Sequence, residues 1–261
     1  MLANNVASIA LAVLAVCCLA SVSIAQKRQI RVAAAADLQT VMPEIAKAFE
    51  AQTGTTVDVS YGSSGNFHAQ IQNGAPLDVF LSADNEYTKK IEQSGLAEPN
   101  SEAIYAVGKI VLWMPSTSPC NQERDRWKCL QEPGVKKIAI ANPEHAPYGR
   151  AAVAALKSAG IYEQVKEKLV YGENISQAAQ FAQSGNAQAA ILAYSLAISS
   201  ALRDGKRWEI PAVLYPRIEQ AAVVLKSSGE KASARDFVKF VTQGPGREIL
   251  AKSGFQLPAI R

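Results

Sequence analysis

Histidine and cysteine are scarce in this sequence, and their scarcity limits the chemistry that the chain can perform. The 261 residues include two histidines, His68 and His145, and four cysteines. None of them is spaced with other ligand side chains in a pattern typical of a zinc or other transition-metal site. The nearest match to the G-x-S-x-G motif of hydrolases is GSSG at 62–65, which has Asn66 in place of the final glycine. A hydrolase is therefore only a remote alternative, and the chain is not expected to be an enzyme.

The sequence also lacks a large excess of charge of one sign. Its formal net charge is +4, with 48% hydrophobic and 19% charged residues, which is typical of a globular protein long enough for two lobes. Lysine and arginine do not cluster on one face, so neither nucleic acid nor a membrane surface is indicated as a partner. Internal repeats and low-complexity linkers are absent as well.

The first 25 residues contain no charged side chain and have an apolar core at about 6–20. They end in small residues at 23 and 25, the positions that a signal peptidase favours. We therefore predict a secretory signal peptide at 1–25, a mature chain that begins at Gln26, and a periplasmic location.

Two other interpretations of the N-terminal segment remain. It could be an uncleaved membrane anchor, although its apolar run is short for a span of about 20 residues. A lipoprotein site at Cys17 or Cys18 is disfavoured, because Val16 and Cys17 stand where a small residue is expected.

The other two cysteines, Cys120 and Cys129, lie close together in the polar segment 115–134. In an oxidising compartment such a pair is most simply a disulfide that closes a surface loop. Two thiols without a nearby histidine do not suggest a zinc site. We predict a Cys120–Cys129 disulfide.

Strand-like apolar runs alternate with helix-periodic runs along the chain, which is typical of an α/β fold with parallel sheets. One series occupies 30–95, a second begins near Lys109, and a strand-like run at 220–226 precedes two helical segments. We predict a two-lobed α/β fold with a ligand cleft between the lobes, each lobe a mainly parallel sheet flanked by helices. The predicted lobes are 26–108 with the return segment 216–261, and 109–215.

The sequence predicts specific bounds for two of the helices. The helix at 38–54 should be kinked or shortened at its start by Pro43 and should end at Gly54. Another helix is predicted at 196–205.

Four loops are expected to face the cleft, at 34–38, 61–66, 142–149 and 171–176. Each follows a strand and precedes a helix, and in open parallel sheets ligands bind beyond the carboxyl ends of the strands. Helix N-termini there present unpaired N–H groups and a partial positive charge, so two lobes could surround an anion without any formal cation.

Four segments together resemble the periplasmic molybdate-binding proteins that serve ABC importers. They are VAAAADL (32–38), GSSGNFHAQIQNGAPLDVFLSAD (62–84), NPEHAPYGRAAVAAL (142–156) and GPGREILAKSGF (244–255). The resemblance covers essentially the whole chain after the leader. It implies the two-lobed periplasmic binding protein fold, in a monomeric, hinge-closing receptor that holds one tetrahedral oxyanion, molybdate or tungstate, without a cofactor. It also implies that this receptor docks on permease subunits.

The resemblance also implies a set of oxyanion-binding residues: Ala36, Asp37, Ser64, Tyr148, Ile175 through its backbone N–H, and Ala193. Molybdenum is expected only inside the oxyanion, so no side chain is expected to ligate a metal ion directly. Two positions depart from the family pattern, since Asp37 stands where serine is common and Ala193 has no hydroxyl. Tyr148 could supply the missing phenol, and Tyr194 and Ser195 are outside candidates.

The residues of the GSSG run fit an anion site on their own chemistry. Gly62 and Gly65 would let the backbone approach a ligand, and the Ser64 hydroxyl would donate to an anion at the start of the next helix, unless it only caps that helix. Ser63 is expected to stabilise the local turn. His68 is expected at the surface, and His145 is expected to stabilise the loop that contains it.

A cage made only of donors suits proton-free dianions such as molybdate and tungstate, whereas hydrogen phosphate needs an acceptor and sulfate differs in size. Asp37 therefore has two interpretations. The favoured one has it capping its own helix and offering only its backbone N–H to the ligand. The alternative has it accepting a proton from hydrogen phosphate, which would make the chain a phosphate receptor. A sulfate receptor, and a sensory domain that never meets a transporter, also remain.

Overall fold

The computed structural model describes residues 28–118 and 126–259 of the chain. Their strands are β1 Gln29–Ala35, β2 Thr56–Gly62, β3 Val79–Ser82, β4 Ala103–Gly108, β5 Ile110–Met114, β6 Ile138–Ala141, β7 Leu169–Gly172, β8 Ala189–Ala193, β9 Lys206–Glu209 and β10 Ile218–Val224. Their α-helices are α1 Met42–Thr53, α2 Ser64–Gln72, α3 Asn85–Gln93, α4 Arg126–Cys129, α5 Pro147–Ser158, α6 Tyr162–Val165, α7 Ile175–Gln183, α8 Tyr194–Ala197, α9 Lys231–Thr242 and α10 Pro245–Lys252.

The strands form two sheets of five, ordered β2-β1-β3-β10-β4 and β7-β6-β8-β5-β9. In the first sheet β1 runs parallel to β2 and β3, but β10 is antiparallel to β3 and β4. In the second, β6 runs parallel to β7 and β8, but β5 is antiparallel to β8 and β9. The prediction of mainly parallel sheets is confirmed, because four of the five strands in each sheet run in the same direction and only β10 and β5 run opposite to the others.

The crossovers between the lobes explain the mixed sheets. The chain passes from β4 directly into β5 through Lys109, and it returns from the second sheet to the first between β9 and β10. β5 and β10 each arrive from the other lobe, so each begins at the end of its sheet that faces that lobe. The neighbouring strands end at that same end, so β5 and β10 run antiparallel to them. The predicted boundaries at 108/109 and 215/216 lie in these connections, and the predicted leader 1–25 lies outside the described residues.

Local signals set the ends of the first helix. Pro43 occupies the second position of α1, where its missing N–H costs no hydrogen bond, and Gly54 ends the helix in the left-handed conformation with φ of 72°. The helix predicted from residue 38 thus begins only at Met42, as the proline suggested. A single 3-10 turn at Ala36–Leu38 fills the gap after β1.

The helix predicted at 196–205 is wrong beyond Ala197, where α8 gives way to turns. Tertiary contacts explain the difference. The Trp113 indole Nε1 donates to the Leu202 carbonyl oxygen at 2.9 Å, and the same ring packs on Gly205, where a Cβ would lie 2.2 Å from it. The short strands β4, β7 and β9 were not predicted either.

Each sheet has its own buried core. In the first lobe Phe49 of α1 meets Phe237 and Phe240 of α9 edge to face, with ring centroids 5.1 and 5.4 Å apart. The return segment therefore packs against the first helix of the lobe, and each buried aromatic ring contributes about 1.5–3 kcal/mol. Within the described residues, no helix combines the length and the apolar character needed to cross a membrane.

Cys129 is buried and disulfide-bonded at the end of α4. Its predicted partner, Cys120, lies outside the described residues. The Cys120–Cys129 pairing therefore stays a prediction.

Candidate oxyanion-binding site

A small cavity lies between the two sheets where the four predicted loops meet. Its lining residues are Ala35, Ala36, Asp37, Gly62, Ser63, Ser64, Ala83, Ala146, Pro147, Tyr148, Asn174 and Ile175. Only about 10 Å³ is accessible to the centre of a water-sized sphere, which is roughly the space for one water molecule. The two lobes are thus closed around the cavity.

The cavity brings five of the six predicted ligand positions together: Ala36, Asp37, Ser64, Tyr148 and Ile175. The sixth, Ala193, ends β8 fully buried and is not among the lining residues. Ser195, one of the two additional candidates for an oxyanion contact, bonds to the backbone behind the cavity, since its hydroxyl donates to the Asp37 carbonyl oxygen at 3.1 Å. Tyr194 is half-buried, with the Lys109 ammonium 5.9 Å from its ring centre.

The two serines of the GSSG run have different roles. Ser63 is the N-cap of α2, because its side chain accepts from the Asn66 N–H at 3.4 Å. Ser64 is the first residue of that helix, and its Oγ accepts the Ala83 N–H at 2.9 Å. Since this bond uses a lone pair of Oγ, the Ser64 hydroxyl hydrogen has no acceptor in the described part of the chain and can be donated to a ligand in the cavity.

Backbone donors come from three helices of nine to twelve residues that start at the cavity, namely α2, α5 and α7. Ile175 is the first residue of α7, so its N–H has no partner within the helix. The Asn174 side chain caps the next two N–H groups, of Ser176 and Gln177, at 3.0 and 3.1 Å. The Ile175 N–H is left for a ligand, and no lysine or arginine is among the lining residues that the structure describes.

Asp37 does not cap a helix, so the favoured prediction for it is wrong. Its 3-10 turn shows no side-chain capping bond, and the carboxylate is fully buried with Oδ2 accepting from two distant side chains. These are the Tyr148 hydroxyl at 2.9 Å and the Gln220 Nε2 at 2.6 Å. Burial raises the pKa of Asp37 to about 6, and the hydrogen bonds from Gln220 and Tyr148 limit the rise.

Gln220 was missed by sequence reasoning. It is fully buried in β10, and its Nε2 donates to the Tyr148 hydroxyl at 2.7 Å as well as to Asp37. The sequence feature that could have identified Gln220 is a single amide side chain at the start of the apolar run QAAVV. A buried polar side chain in such a run needs a partner, and this one finds it in the cavity wall.

Gly65 approaches the facing lobe, whereas a close approach to the ligand was predicted. Its N–H donates to the His145 carbonyl oxygen at 2.9 Å, and a Cβ at this position would lie 2.7 Å from the His145 Cβ and 2.6 Å from the Tyr87 hydroxyl. Gly62, in contrast, does line the cavity. The second glycine of GSSG is therefore required for the lobes to close.

His68 is less exposed than predicted, and His145 does more than stabilise its own loop. His145 connects the lobes through its Nδ1, which lies 2.9 Å from the Ser63 hydroxyl, while its Nε2 lies 3.6 Å from the carboxylate of Glu173 in its own lobe. His68 is half-buried against the Tyr87 ring, with centroids 5.3 Å apart, and is not a surface residue. Neither histidine lines the cavity.

An ion pair joins the lobes beside the cavity. Arg150 of α5 contacts the carboxylate of Asp84, which caps α3, and its Nη1 donates to the Tyr87 hydroxyl at 3.3 Å. The guanidinium carbon also lies 5.4 Å from the centre of the Tyr87 ring. These contacts require the closed arrangement, because their partners belong to different lobes.

Arg150→Gln should speed release of a bound ligand by about two- to fivefold, since a partly exposed ion pair is worth about 0.5–1 kcal/mol. Stopped-flow release by ligand dilution would measure the rate. Arg235→Gln, which removes a surface arginine paired with Glu98 outside the cavity, is the matched control. Equal release rates for the two variants would show that the Arg150 contacts do not hold the lobes closed.

Comparison with known proteins agrees with this architecture. The family described as bacterial extracellular solute-binding protein matches residues 30–256. The chain is 41% identical to the molybdate-binding protein ModA of Rhodobacter capsulatus, over 85% of this chain and 86% of that protein. It is 39% identical to the ModA of Azotobacter vinelandii, over 89% of this chain and 92% of that protein.

A solved structure gives the same result. The periplasmic molybdate-binding protein of Azotobacter vinelandii superimposes with a TM-score of 0.82 at 36% identity, covering 88% of this chain and all of that chain. The sequence match and the structural match both extend over nearly all of the described chain. The chain therefore belongs to the bacterial extracellular solute-binding protein family, in which the relatives named above are molybdate-binding proteins.

Proposed function

We propose that this chain is an exported receptor that captures molybdate, and also tungstate, and delivers it to an ABC importer. The observation that carries the proposal is the closed cavity between the lobes, into which the Ser64 hydroxyl and the first N–H groups of α2, α5 and α7 can donate. The relatives named molybdate-binding proteins support the choice of ligand. The chain acts by binding and release, without a cofactor and without catalysis.

The chemistry of the donors supports a dianion that carries no proton. Molybdate and tungstate are such dianions at neutral pH, and neutral donors can bind them without a cation because helix N-termini favour negative charge. Hydrogen phosphate would require an acceptor, and among the described lining residues the Asp37 carboxylate is the group able to serve as one, so the preference for molybdate over phosphate rests on the relatives. Sulfate is smaller than molybdate. Because the closed cavity has little spare room, the anion enters while the lobes are apart and the lobes then close on it.

The cellular setting belongs to the same proposal. The chain is exported through the leader 1–25, is released in the periplasm as a monomer that begins at Gln26, and docks on permease subunits in the membrane. N-terminal sequencing of the exported protein tests the processing step, and retention of Met1 on membrane-bound material would contradict it.

Calorimetric titration of the chain from Gln26 with four anions tests the ligand. Molybdate and tungstate should bind with one site per chain and similar affinities, because they have nearly the same size and charge. Sulfate and phosphate should bind much more weakly. Tight binding of phosphate or sulfate in preference to molybdate would identify this chain as a receptor for that anion instead.

A further inference from the structure

Asp37 is the only charged residue among the described residues that line the cavity, although the proposed ligand is itself negatively charged. A carboxylate and a dianion desolvated together repel each other by several kcal/mol. We propose that Asp37 binds the oxyanion as a neutral carboxylic acid whose Oδ1 hydrogen is donated to the ligand, so that each binding event takes up one proton. This inference rests on the proposed function and concerns how the same site is regulated.

The hydrogen bonds around Asp37 assign its two oxygens different roles. Both side-chain donors, the Tyr148 hydroxyl and the Gln220 amide, converge on Oδ2, and the backbone N–H of Asp37 itself adds a weaker contribution that lowers the pKa of the carboxyl group. The other oxygen, Oδ1, is buried and has no hydrogen-bond partner within residues 28–118 and 126–259. A buried oxygen without a partner is costly as an acceptor. The proton therefore belongs on Oδ1, where the acid becomes a donor like the serine and the helix N–H groups.

The groups that face Asp37 are neutral on every packed element. Burial raises the pKa values of Tyr148 in α5 and Tyr105 in β4 well above their usual value, and the Asp37 charge adds to both shifts. Gln220 in β10 is an amide, and the hydroxyls of Ser176 in α7 and Ser195 in α8 donate to the backbone of the 3-10 turn, at the Ala36 and Asp37 carbonyl oxygens.

The charged groups near the crossover and beside the cavity are paired with each other, Lys109 with Glu209 and Arg150 with Asp84. No described cation therefore compensates an ionised Asp37 directly. Its raised pKa, about 6 from burial, agrees with a carboxyl group that protonates readily, and a dianion beside it raises that pKa further.

The proton comes from solvent, and no covalent bond to the ligand forms. Above the pKa of the free protein, the carboxylate takes up one H⁺ as the dianion enters, so one negative charge is neutralised for each ligand bound. By linkage, the affinity then falls by about tenfold for each pH unit above that pKa. Below the pKa the group is already protonated and the affinity becomes independent of pH.

The test is calorimetric titration with molybdate at micromolar concentration between about pH 6 and about pH 8.5, the range above the pKa of Asp37. Titrations at one pH in buffers of different ionisation enthalpy count the protons taken up. Wild type should lose about tenfold in affinity per pH unit and take up about one proton at the alkaline end. Asp37→Asn, which keeps a donor at the Oδ1 position, should bind with an affinity constant to within about twofold and take up no proton.

The variant should also bind more tightly than wild type at the alkaline end of the range. Asp58→Asn, a change at an exposed acid on β2, is the control and should keep the wild-type pH profile. Affinity independent of pH in wild type, with no proton uptake, would overturn the inference, as would an unchanged pH dependence in Asp37→Asn. The proton count on wild type decides the question even if Asp37→Asn does not bind. Failure of wild type to bind molybdate at any pH would instead refute the proposed function.

Discussion

Gly65→Ala is expected to weaken oxyanion binding by about 10- to 100-fold while leaving the unliganded protein folded and stable. The added Cβ would lie 2.7 Å from the His145 Cβ and 2.8 Å from its carbonyl oxygen, both in the facing lobe. Overpacking of this kind costs about 1–3 kcal/mol. The cost falls on the closed form, because the lobes are apart when ligand enters.

The open form should suffer less from the same change, because the atom it meets within its own lobe, the Tyr87 hydroxyl at 2.6 Å, ends a side chain that can shift. Residue 65 lies in the first turn of α2, where alanine is a better helix former than glycine by about 0.5–1 kcal/mol. Denaturant unfolding without ligand should therefore show unchanged or slightly higher stability, and calorimetry should show the lost affinity. Gly134→Ala, at a glycine with no heavy atom within 4 Å of the added Cβ, is the control. Wild-type affinity in Gly65→Ala would mean that binding does not need the contact between residues 65 and 145.

Ser64→Ala is expected to weaken oxyanion binding by about 1.5–3 kcal/mol, or roughly 10- to 150-fold, which is the usual value of a hydrogen bond to a charged group. The hydroxyl oxygen already accepts the Ala83 N–H, so its hydrogen is oriented for donation. The substitution also leaves that buried N–H without its acceptor, which should lower the free energy of unfolding by about 1–3 kcal/mol.

Two measurements separate these effects of Ser64. Calorimetry well below the melting temperature reports the affinity of the folded protein, and denaturant unfolding without ligand reports stability. Ser233→Ala, at a buried serine of α9 that does not line the cavity, is the matched control and should keep full affinity. If Ser64→Ala lost stability but not affinity, the hydroxyl would serve only the Ala83 amide and the site would depend on backbone donors.

Much of the fold could be predicted because its signals are local. Pro43 and Gly54 determine where α1 begins and ends through backbone restrictions that act within one turn. The alternation of apolar runs and helical periods placed four strand-to-helix loops, and all four contribute residues to the cavity. The capping role of Ser63 is local as well, since its partner is the N–H three residues later.

Other features could not be predicted because their partners are far away along the chain. Asp37 accepts from Tyr148, 111 residues away, and from Gln220, 183 residues away. No local pattern distinguishes a carboxylate that caps its own helix from one that is buried under two distant donors. The prediction for Asp37 was therefore wrong, although its place in the cavity was anticipated.

The sequence by itself determined which segments become strands and helices around the cleft and which of them resemble an oxyanion receptor, because those properties depend on neighbours a few residues apart. The tertiary structure alone decided that β10 enters the first sheet antiparallel. It also decided that the Gly65 N–H donates to the His145 carbonyl oxygen across the lobes at 2.9 Å, and that the Asp37 side chain is buried away from solvent. Burial and lobe-to-lobe contact depend on the whole chain packing at once. The charge state of Asp37, and with it the electrostatics of the site, is consequently a property of the closed fold.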